Sequence, residues 1–267
     1  MDRALHAKVA ELDDGLHRLT LENGTRAVVK RRRRAPPGFF AMEAHGLKLL
    51  AATHTLRVPT VYAVDGQTLV IEDLGSGRPN APAWERAGRC LAELHESTAA
   101  QFGLDRNGWC GDSPQTNTPM RDGWRFFAEC RLLPQGRRAR EAGRLEKADV
   151  DALERLCREL PERIPPQPAS LVHGDLWTAN LHACEDGELA LIDAAAVHYG
   201  WAEADLAMLT LFGSPPAPFF AAYEAARGID ADWRSRAALY NLYHLLNHLN
   251  LFGEGYLGAV RAVLARR

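Results

Sequence analysis

The ten residues Asp73-Leu-Gly-Ser-Gly-Arg-Pro-Asn-Ala-Pro82 divide this sequence into two textures that no single sheet or bundle accommodates. Before them, short apolar runs predict strands at Leu5 to Leu12, Leu16 to Leu21, Arg26 to Lys30, Thr60 to Val64 and Thr68 to Glu72. Asn23-Gly24 suits a type I′ hairpin, because both turn residues must accept positive φ, and Asp13-Asp14-Gly15 and Asp65-Gly66 mark further turns. One helix interrupts the strands, from Phe39 to Thr53, with Phe39, Phe40, Gly46, Leu47 and Leu50 on one face. Beyond Pro82 the helical period dominates: Trp84 to Ser97, Asp122 to Leu133, Ala148 to Leu160, Ala202 to Phe212, Pro218 to Arg227 and Asp232 to Leu251. Only Ser170 to Val172 and Leu189 to Ile192 read as strands there. The expectation is an α+β, bilobal chain. It has a small antiparallel sheet lobe with one helix (residues 1–73), a hinge or linker (74–82) and a larger, mainly helical lobe (83–267).

Composition narrows the function. A 46% hydrophobic, 25% charged chain of 267 residues has ordinary globular chemistry, and a net charge of −2 argues against coating nucleic acid. Lys30 to Arg34 is a basic run without interleaved aromatics, read as a solvated strand exit. The five cysteines are scattered without a Cys-x-x-Cys pair, which predicts reduced thiols rather than a zinc or dithiol centre. With no signal-like start and no apolar run of about 18 residues, a cytoplasmic protein without membrane contact is expected.

Chemistry concentrates in Leu171-Val-His-Gly-Asp-Leu-Trp-Thr-Ala-Asn180, where His-x-Asp is followed five residues later by Asn, the spacing of a kinase catalytic loop. A carboxylate there orients an attacking hydroxyl and takes its proton, and an amide oxygen one turn on holds Mg²⁺. Thirteen residues beyond Asn180 an apolar strand ends in Asp193, a carboxylate that burial would penalise unless a metal or cation pairs with it. Upstream, Arg26-Ala-Val-Val-Lys30 resembles the strand of a phosphate-binding lysine, and 28 of the 32 basic residues are arginine, so this lysine is conspicuous. Glu43 lies within the apolar stripe of its helix and needs a cation, for which Lys30 is the candidate. His244 and His248 are four apart on a helix without the glutamate of a zinc protease, so core or pocket packing is expected of them.

Together these motifs resemble the fructosamine kinase family, within the aminoglycoside-phosphotransferase-like group. The resemblance rests on His173-Gly-Asp-Leu-Trp-Thr-Ala-Asn180, Leu191-Ile-Asp193 and Tyr199-Gly-Trp-Ala-Glu-Ala-Asp-Leu-Ala207. It extends through Phe40 to Leu47, Thr55 to Pro59, Asn117 to Arg131 and Leu239 to Gly253. It implies a protein-kinase-like fold and ATP-dependent phosphorylation of the 3-hydroxyl of a ketosamine, with ATP and Mg²⁺ as cofactors and a small-molecule ketosamine or glycated amine as partner. Such a 3-phosphate decomposes, so the family is associated with deglycation. Carried over by motif, Asp175 is the catalytic base and Asn180 and Asp193 the Mg²⁺ ligands. Lys30 with Glu43 forms the phosphate clamp, Gly15 lies in the nucleotide-covering turn, and Ile71-Glu72-Asp73-Leu74 is the adenine hinge. Trp177 and His248 are the candidates for contacting the sugar adduct.

The sequence also departs from the family pattern. The nucleotide turn offers one glycine and two acids, Asp13 and Asp14, whose charge would repel phosphates; Thr178-Ala179 stands where Ser-Gly is common, and Ala194-Ala195 where proline often follows. No cysteine precedes Cys90, so disulfide-linked dimers through that turn are not expected, and no oligomeric state is indicated. The alternatives are an aminoglycoside or other small-molecule hydroxyl phosphotransferase, or a catalytically weak nucleotide-binding regulator. A protein kinase lacks support, since eight residues separate Asp193 from the helix near Ala202 and leave no peptide-docking segment.

Overall fold

The structure, a computed structural model, describes residues 9, 11–229 and 231–266. Its elements run β1 (Gly15–Thr20), β2 (Arg26–Arg31), α1 (Phe39–Ala51), β3 (Val61–Val64), β4 (Thr68–Glu72), α2 (Ala81–Leu94), β5 (Thr98–Ala99), β6 (Gly108–Cys110), β7 (Ser113–Gln115) and α3 (Gly123–Phe127). They continue with α4 (Leu133–Glu141), α5 (Lys147–Arg163), β8 (Ala169–Val172), β9 (Leu181–Ala183), β10 (Leu189–Leu191), β11 (His198–Gly200), α6 (Ala202–Met208), α7 (Ala217–Arg227), α8 (Trp233–Phe252) and α9 (Leu257–Leu264). A π-helical stretch, Ala128–Leu132, joins α3 to α4. Among the described residues no helix is long and apolar enough to cross a membrane.

The chain forms two compact units. One gathers the described residues up to Leu94 with Ala179–Ala196 and Pro216–Ala226; the other takes His95–Thr178, Val197–Pro215 and the chain from Arg227 on.

In the first unit, β1-β2-β4-β3 form an antiparallel sheet. The alternation in β2 explains its two faces: Ala27 and Val29 are buried with Ala63 and Val70, whereas Val28 and Lys30 point the other way. Register carries that second face across the sheet. Arg18 lies opposite Val28 and Val28 opposite Ile71, while Leu16 lies opposite Lys30. The strand expected at Leu5 to Leu12 is not found where it can be seen. Residues 5–8 and 10 lie outside the described residues, Val9 is helical, and the Leu12 amide donates back to the Val9 carbonyl at 3.1 Å, a local turn bond that strand pairing would not leave.

The compact units do not follow the boundaries 1–73, 74–82 and 83–267. Helix α2 begins inside the supposed linker, and Gly88 on it approaches the backbone of α7 so closely that a Cβ would sit 2.1 Å from the Phe219 carbonyl oxygen. The β9–β10 hairpin is tied to the sheet side by Gly77 N–H donating to Ala183 O (3.1 Å) and Leu191 N–H to Arg57 O (2.9 Å), over a small core of Leu74, Cys184 and Ala190. Long-range backbone bonds to the hairpin and the close approach of α2 to α7, both invisible to local periodicity, therefore recruit two later segments.

The second unit is built around α8, whose Tyr240, Leu242, Leu246 and Leu249 are buried against Phe127, Leu132, Leu156, Leu160 and Trp201. Beside it lie the sheet β11-β8-β5 and the hairpin β6–β7. Buried Arg131 organises the segment after β7, donating to Thr116 O (2.6 Å) and Asn117 Oδ1 (2.8 Å) while its guanidinium lies 4.7 Å from the Phe126 ring centre.

Candidate active site

The free face of the first unit's sheet walls a cavity of about 210 Å³ lined by Leu16, Val28, Lys30, Ile71, Asp73 and Asp193 among others. Lys30 reaches Glu43 on α1 at 2.5 Å and also pairs with Asp193, so the expected lysine–glutamate contact is formed and a second carboxylate joins it. Asp193 adopts φ 59°, a left-handed conformation uncommon outside glycine and tolerated by aspartate. The turn is braced from α1: a Cβ on Gly46 would stand 1.9 Å from the Ala194 carbonyl oxygen, so only glycine lets helix and turn meet. Asn180 immediately precedes β9, and Ile192 N–H donates to Asn180 O at 3.1 Å, so the hairpin register sets Asn180 beside the residue preceding Asp193. An amide and a carboxylate at one hairpin end form an oxygen-only donor pair, which suits a hard divalent cation such as Mg²⁺.

Glu72, Asp73 and Leu74, the expected hinge, also line this cavity. The acidic side chains already have partners. Glu72 accepts from Thr60 N–H (3.1 Å) and Arg57 (3.0 Å), and although burial opposes its charge these partners hold its pKa below the usual carboxylate value. Asp73 pairs with Arg18 at 3.2 Å. Backbone groups are therefore what the hinge can offer a ligand. Gly15 is at the start of β1 with φ 137°, next to the lining residue Leu16 but not itself in the lining. Asp13 pairs with the Arg33 guanidinium at 3.1 Å, an exposed ion pair, while Asp14 accepts the Arg33 backbone N–H at 2.8 Å and keeps its charge.

Asp175 lies in the second unit, on the loop leaving β8. Asp205 on α6 fastens that loop, accepting from the backbone N–H groups of His173 (2.7 Å) and Gly174 (2.9 Å) and contacting His95 at 3.4 Å. Gly174, at φ 81°, makes the turn that points both amides one way. Burial opposes the Asp205 charge, but His95, the His173 charge and the Gly174 N–H outweigh it and its pKa is lowered. Asp175 is pushed the other way, up to about 7, by burial and then by the Asp205 charge. His244 Nδ1 lies 3.6 Å from its Oδ1, and burial drives that imidazole's pKa down to about 3, leaving it neutral.

Asp175 opens into a cavity of about 460 Å³ whose other lining residues include Trp177, Phe212, His248, Phe252 and Tyr256. Among the described residues Asp175 is the sole carboxylate in that lining. Trp177 and His248 thus stand at one site with Asp175, as expected from sequence. His248 stacks on Phe212 (centroids 4.6 Å, planes 17° apart), with Phe252 and Tyr256 edge-on at 5.1 and 5.0 Å. Its Nδ1 is buried without a hydrogen-bond partner among the described residues, and burial lowers its pKa.

Four residues of this site escaped sequence reasoning. Asp205 falls inside a matched segment, and its charge amid Leu206 and Ala207 was the available signal. Phe212 and Tyr256 join the cavity from segments flanking α7 and α8, and Cys110 from the end of a three-residue strand; such placements leave no local pattern.

The fructosamine kinase family model matches residues 7–267. A probable ketoamine kinase of Synechocystis sp. is 43% identical over 224 residues, 81% of this chain and 74% of the relative. A crystal structure from Thermobifida fusca, provisionally named a fructosamine-3-kinase, superposes with a TM-score of 0.86 at 37% identity, covering 94% of this chain and 90% of that one. An ADP-bound aminoglycoside phosphotransferase matches at a TM-score of 0.56 and 14% identity over 99% of this chain and 97% of its own, a likeness of fold alone.

Proposed function

The chain belongs to the fructosamine kinase family, a group of phosphotransferases with a kinase-like fold, and on that premise we propose that it transfers the γ-phosphoryl group of ATP to the sugar 3-hydroxyl of a ketosamine. The observation that carries the acceptor class is the aromatic-walled cavity in which Asp175 is the sole carboxylate among the described residues. A polycationic aminoglycoside would call for several acids; a sugar carried on an amine needs ring faces and a few polar atoms.

Asp175 accepts the proton of the attacking hydroxyl at its carboxylate oxygen as that oxygen bonds to phosphorus and ADP leaves. A base raised to about 7 is poised for proton transfer near neutral pH. Trp177 offers a ring face to the sugar, and His248, on the same cavity wall, presents its imidazole beside it. Lys30, held by Glu43, places its ammonium against the α- and β-phosphates, and the backbone of residues 71–74 receives adenine. Asn180 and Asp193 would hold Mg²⁺, which when bound neutralises charge on the phosphate oxygens. Removal of sugar adducts from amines follows from the instability of the 3-phosphate.

The test is ADP release with Mg-ATP against ketosamines, free sugars and aminoglycosides, with the product's phosphate located by phosphorus NMR. Phosphate on the ketosamine 3-oxygen is the expected result. Turnover of aminoglycosides in preference to ketosamines would refute the assignment.

A further inference from the structure

We propose that Cys110, His244 and Asp175 form a binding site for a thiophilic divalent cation, Zn²⁺, and that its occupation withholds Asp175 from catalysis. The three residues come from β6, α8 and the loop after β8, all within the second unit. Their ligand atoms converge: Cys110 Sγ is 3.8 Å from His244 Nδ1, His244 Nδ1 is 3.6 Å from Asp175 Oδ1, and all three atoms lie within 4.8 Å of one another. A tetrahedral zinc ion, with bonds of about 2.3 Å to sulfur and about 2.0–2.2 Å to nitrogen and oxygen, spaces its ligands roughly 3.3–3.6 Å apart. Two of the separations are therefore within a few tenths of an ångström of that geometry, and the third closes by movement of the Asp175 carboxylate.

The surroundings support coordination. Asn247 donates to the Cys110 carbonyl (3.1 Å) and to its Sγ (3.3 Å), which fixes where the sulfur points. Cys110 and Asp175 both line the 460 Å³ cavity, so an ion has an entry path and its fourth position can be filled by water. On binding, the Cys110 S–H bond breaks, sulfur bonds to the metal, and the proton leaves to bulk water; thiolate and carboxylate together balance the cation's two charges. Sulfur and imidazole ligands select zinc over Mg²⁺, so this site is distinct in chemistry from the oxygen pair of Asn180 and Asp193. Ligands at 110, 175 and 244 present no sequence motif, and His248 takes no part.

The inhibitory consequence rests on the reading of Asp175 as the base, whereas binding itself does not. The test begins with the full chain, free of nucleotide, titrated with Co²⁺ as an optical stand-in for Zn²⁺. A thiolate-to-metal charge-transfer band, displaced by one equivalent of Zn²⁺, is expected in the wild type and in C157S, and is expected to vanish in C110S. Loss of the thiolate ligand should weaken Zn²⁺ binding by about 100-fold or more, since outer-shell losses alone cost about 10–100-fold. Circular dichroism of C110S and H244Q establishes that each is folded, and H244Q should weaken binding comparably. Absence of the band in the wild type, or its persistence in C110S, overturns the site. In turnover assays at buffered free Zn²⁺ and saturating Mg-ATP, inhibition should be relieved at least about tenfold in C110S. A band without inhibition upholds the metal site and overturns the assignment of Asp175 as the base that zinc withholds.

Discussion

Burial, with the charge of Asp205 behind it, pushes Asp175 up to about 7, and the direction matters for rate. Below that value the carboxyl is protonated and cannot take the hydroxyl proton; above it the base is ready. The ratio kcat/KM for the ketosamine should therefore fall about tenfold per pH unit on the acid side of about 7. An acid limb near the usual aspartate value, about 3.9, would show that the pKa of the base is not raised by its surroundings. Asp175→Asn should abolish phosphoryl transfer while leaving nucleotide binding nearly unchanged, checked by single-turnover assay and calorimetry. At Lys30 the environment differs. Its ammonium contacts two carboxylates, and Glu43 has a side chain only 5% exposed. Glu43→Gln removes one of two carboxylates on Lys30, and because Asp193 remains paired with it the loss should stay below the ~3–5 kcal/mol of a buried charge left with no partner. The expected outcome is a lower melting temperature together with a raised KM for ATP, and an unchanged KM for the ketosamine.

Among the elements, the braces behind the reactive groups are as exposed to mutation as the groups themselves. Gly46→Ala forces α1 and the Ala194 turn apart, because the new Cβ would meet a backbone oxygen at 1.9 Å. Overpacking of this kind costs about 1–3 kcal/mol. The displaced turn carries Asp193, so ATP affinity should fall with stability, as measured by calorimetry and thermal melts. Asp205→Asn places an amide where two backbone N–H groups need an acceptor. Because the folded pKa of Asp205 is lowered, its contribution is complete above the unfolded value, about 3.9, and is lost as pH falls through the folded value. The variant should consequently show weaker dependence of stability on acid, read from urea melts between pH 7 and pH 3.

The same scale explains what could be read in advance. Strands β2 and β4 and helix α1 announced themselves, since alternation in Arg26–Arg31 and the stripe through Phe40, Leu47 and Leu50 are local patterns. Lys30 and Glu43 followed from the same patterns, and Asp175, Trp177 and His248 from motifs that the structure sets around one cavity. Three-residue strands such as β6 and β9 fall below any periodicity. Asp205 acts through backbone amides 31 and 32 residues earlier, so its charge amid Leu206 and Ala207 was the one hint, and Cys110 meets His244 across 134 positions with no neighbour in sequence to betray it.

For the whole molecule, the two halves of the proposed chemistry fall in separate compact units, Lys30, Asn180 and Asp193 in one and Asp175, Trp177 and His248 in the other. Nucleotide binding should accordingly report on the first unit alone. Mg-ATP at a hundredfold its Kd stabilises a protein by about 2.7 kcal/mol, several degrees in Tm for a chain of this size. That shift should persist in Asp175→Asn and His248→Ala and be lost in Lys30→Ala, as differential scanning fluorimetry would record; a shift abolished by His248→Ala would contradict the division of labour.

The interleaving of segments bears on how the molecule is made. Helix α2 packs against α7, and the β9–β10 hairpin hangs from Arg57 and Gly77, so the amino-terminal sheet cannot acquire its full set of neighbours when the ribosome has delivered only residues 1–94. Closure of that half waits until about residue 226 has left the exit tunnel, by which point most of the other half has already been synthesised. A nascent chain stalled before that point would leave apolar surface around Gly88 and Leu74 open to chaperones.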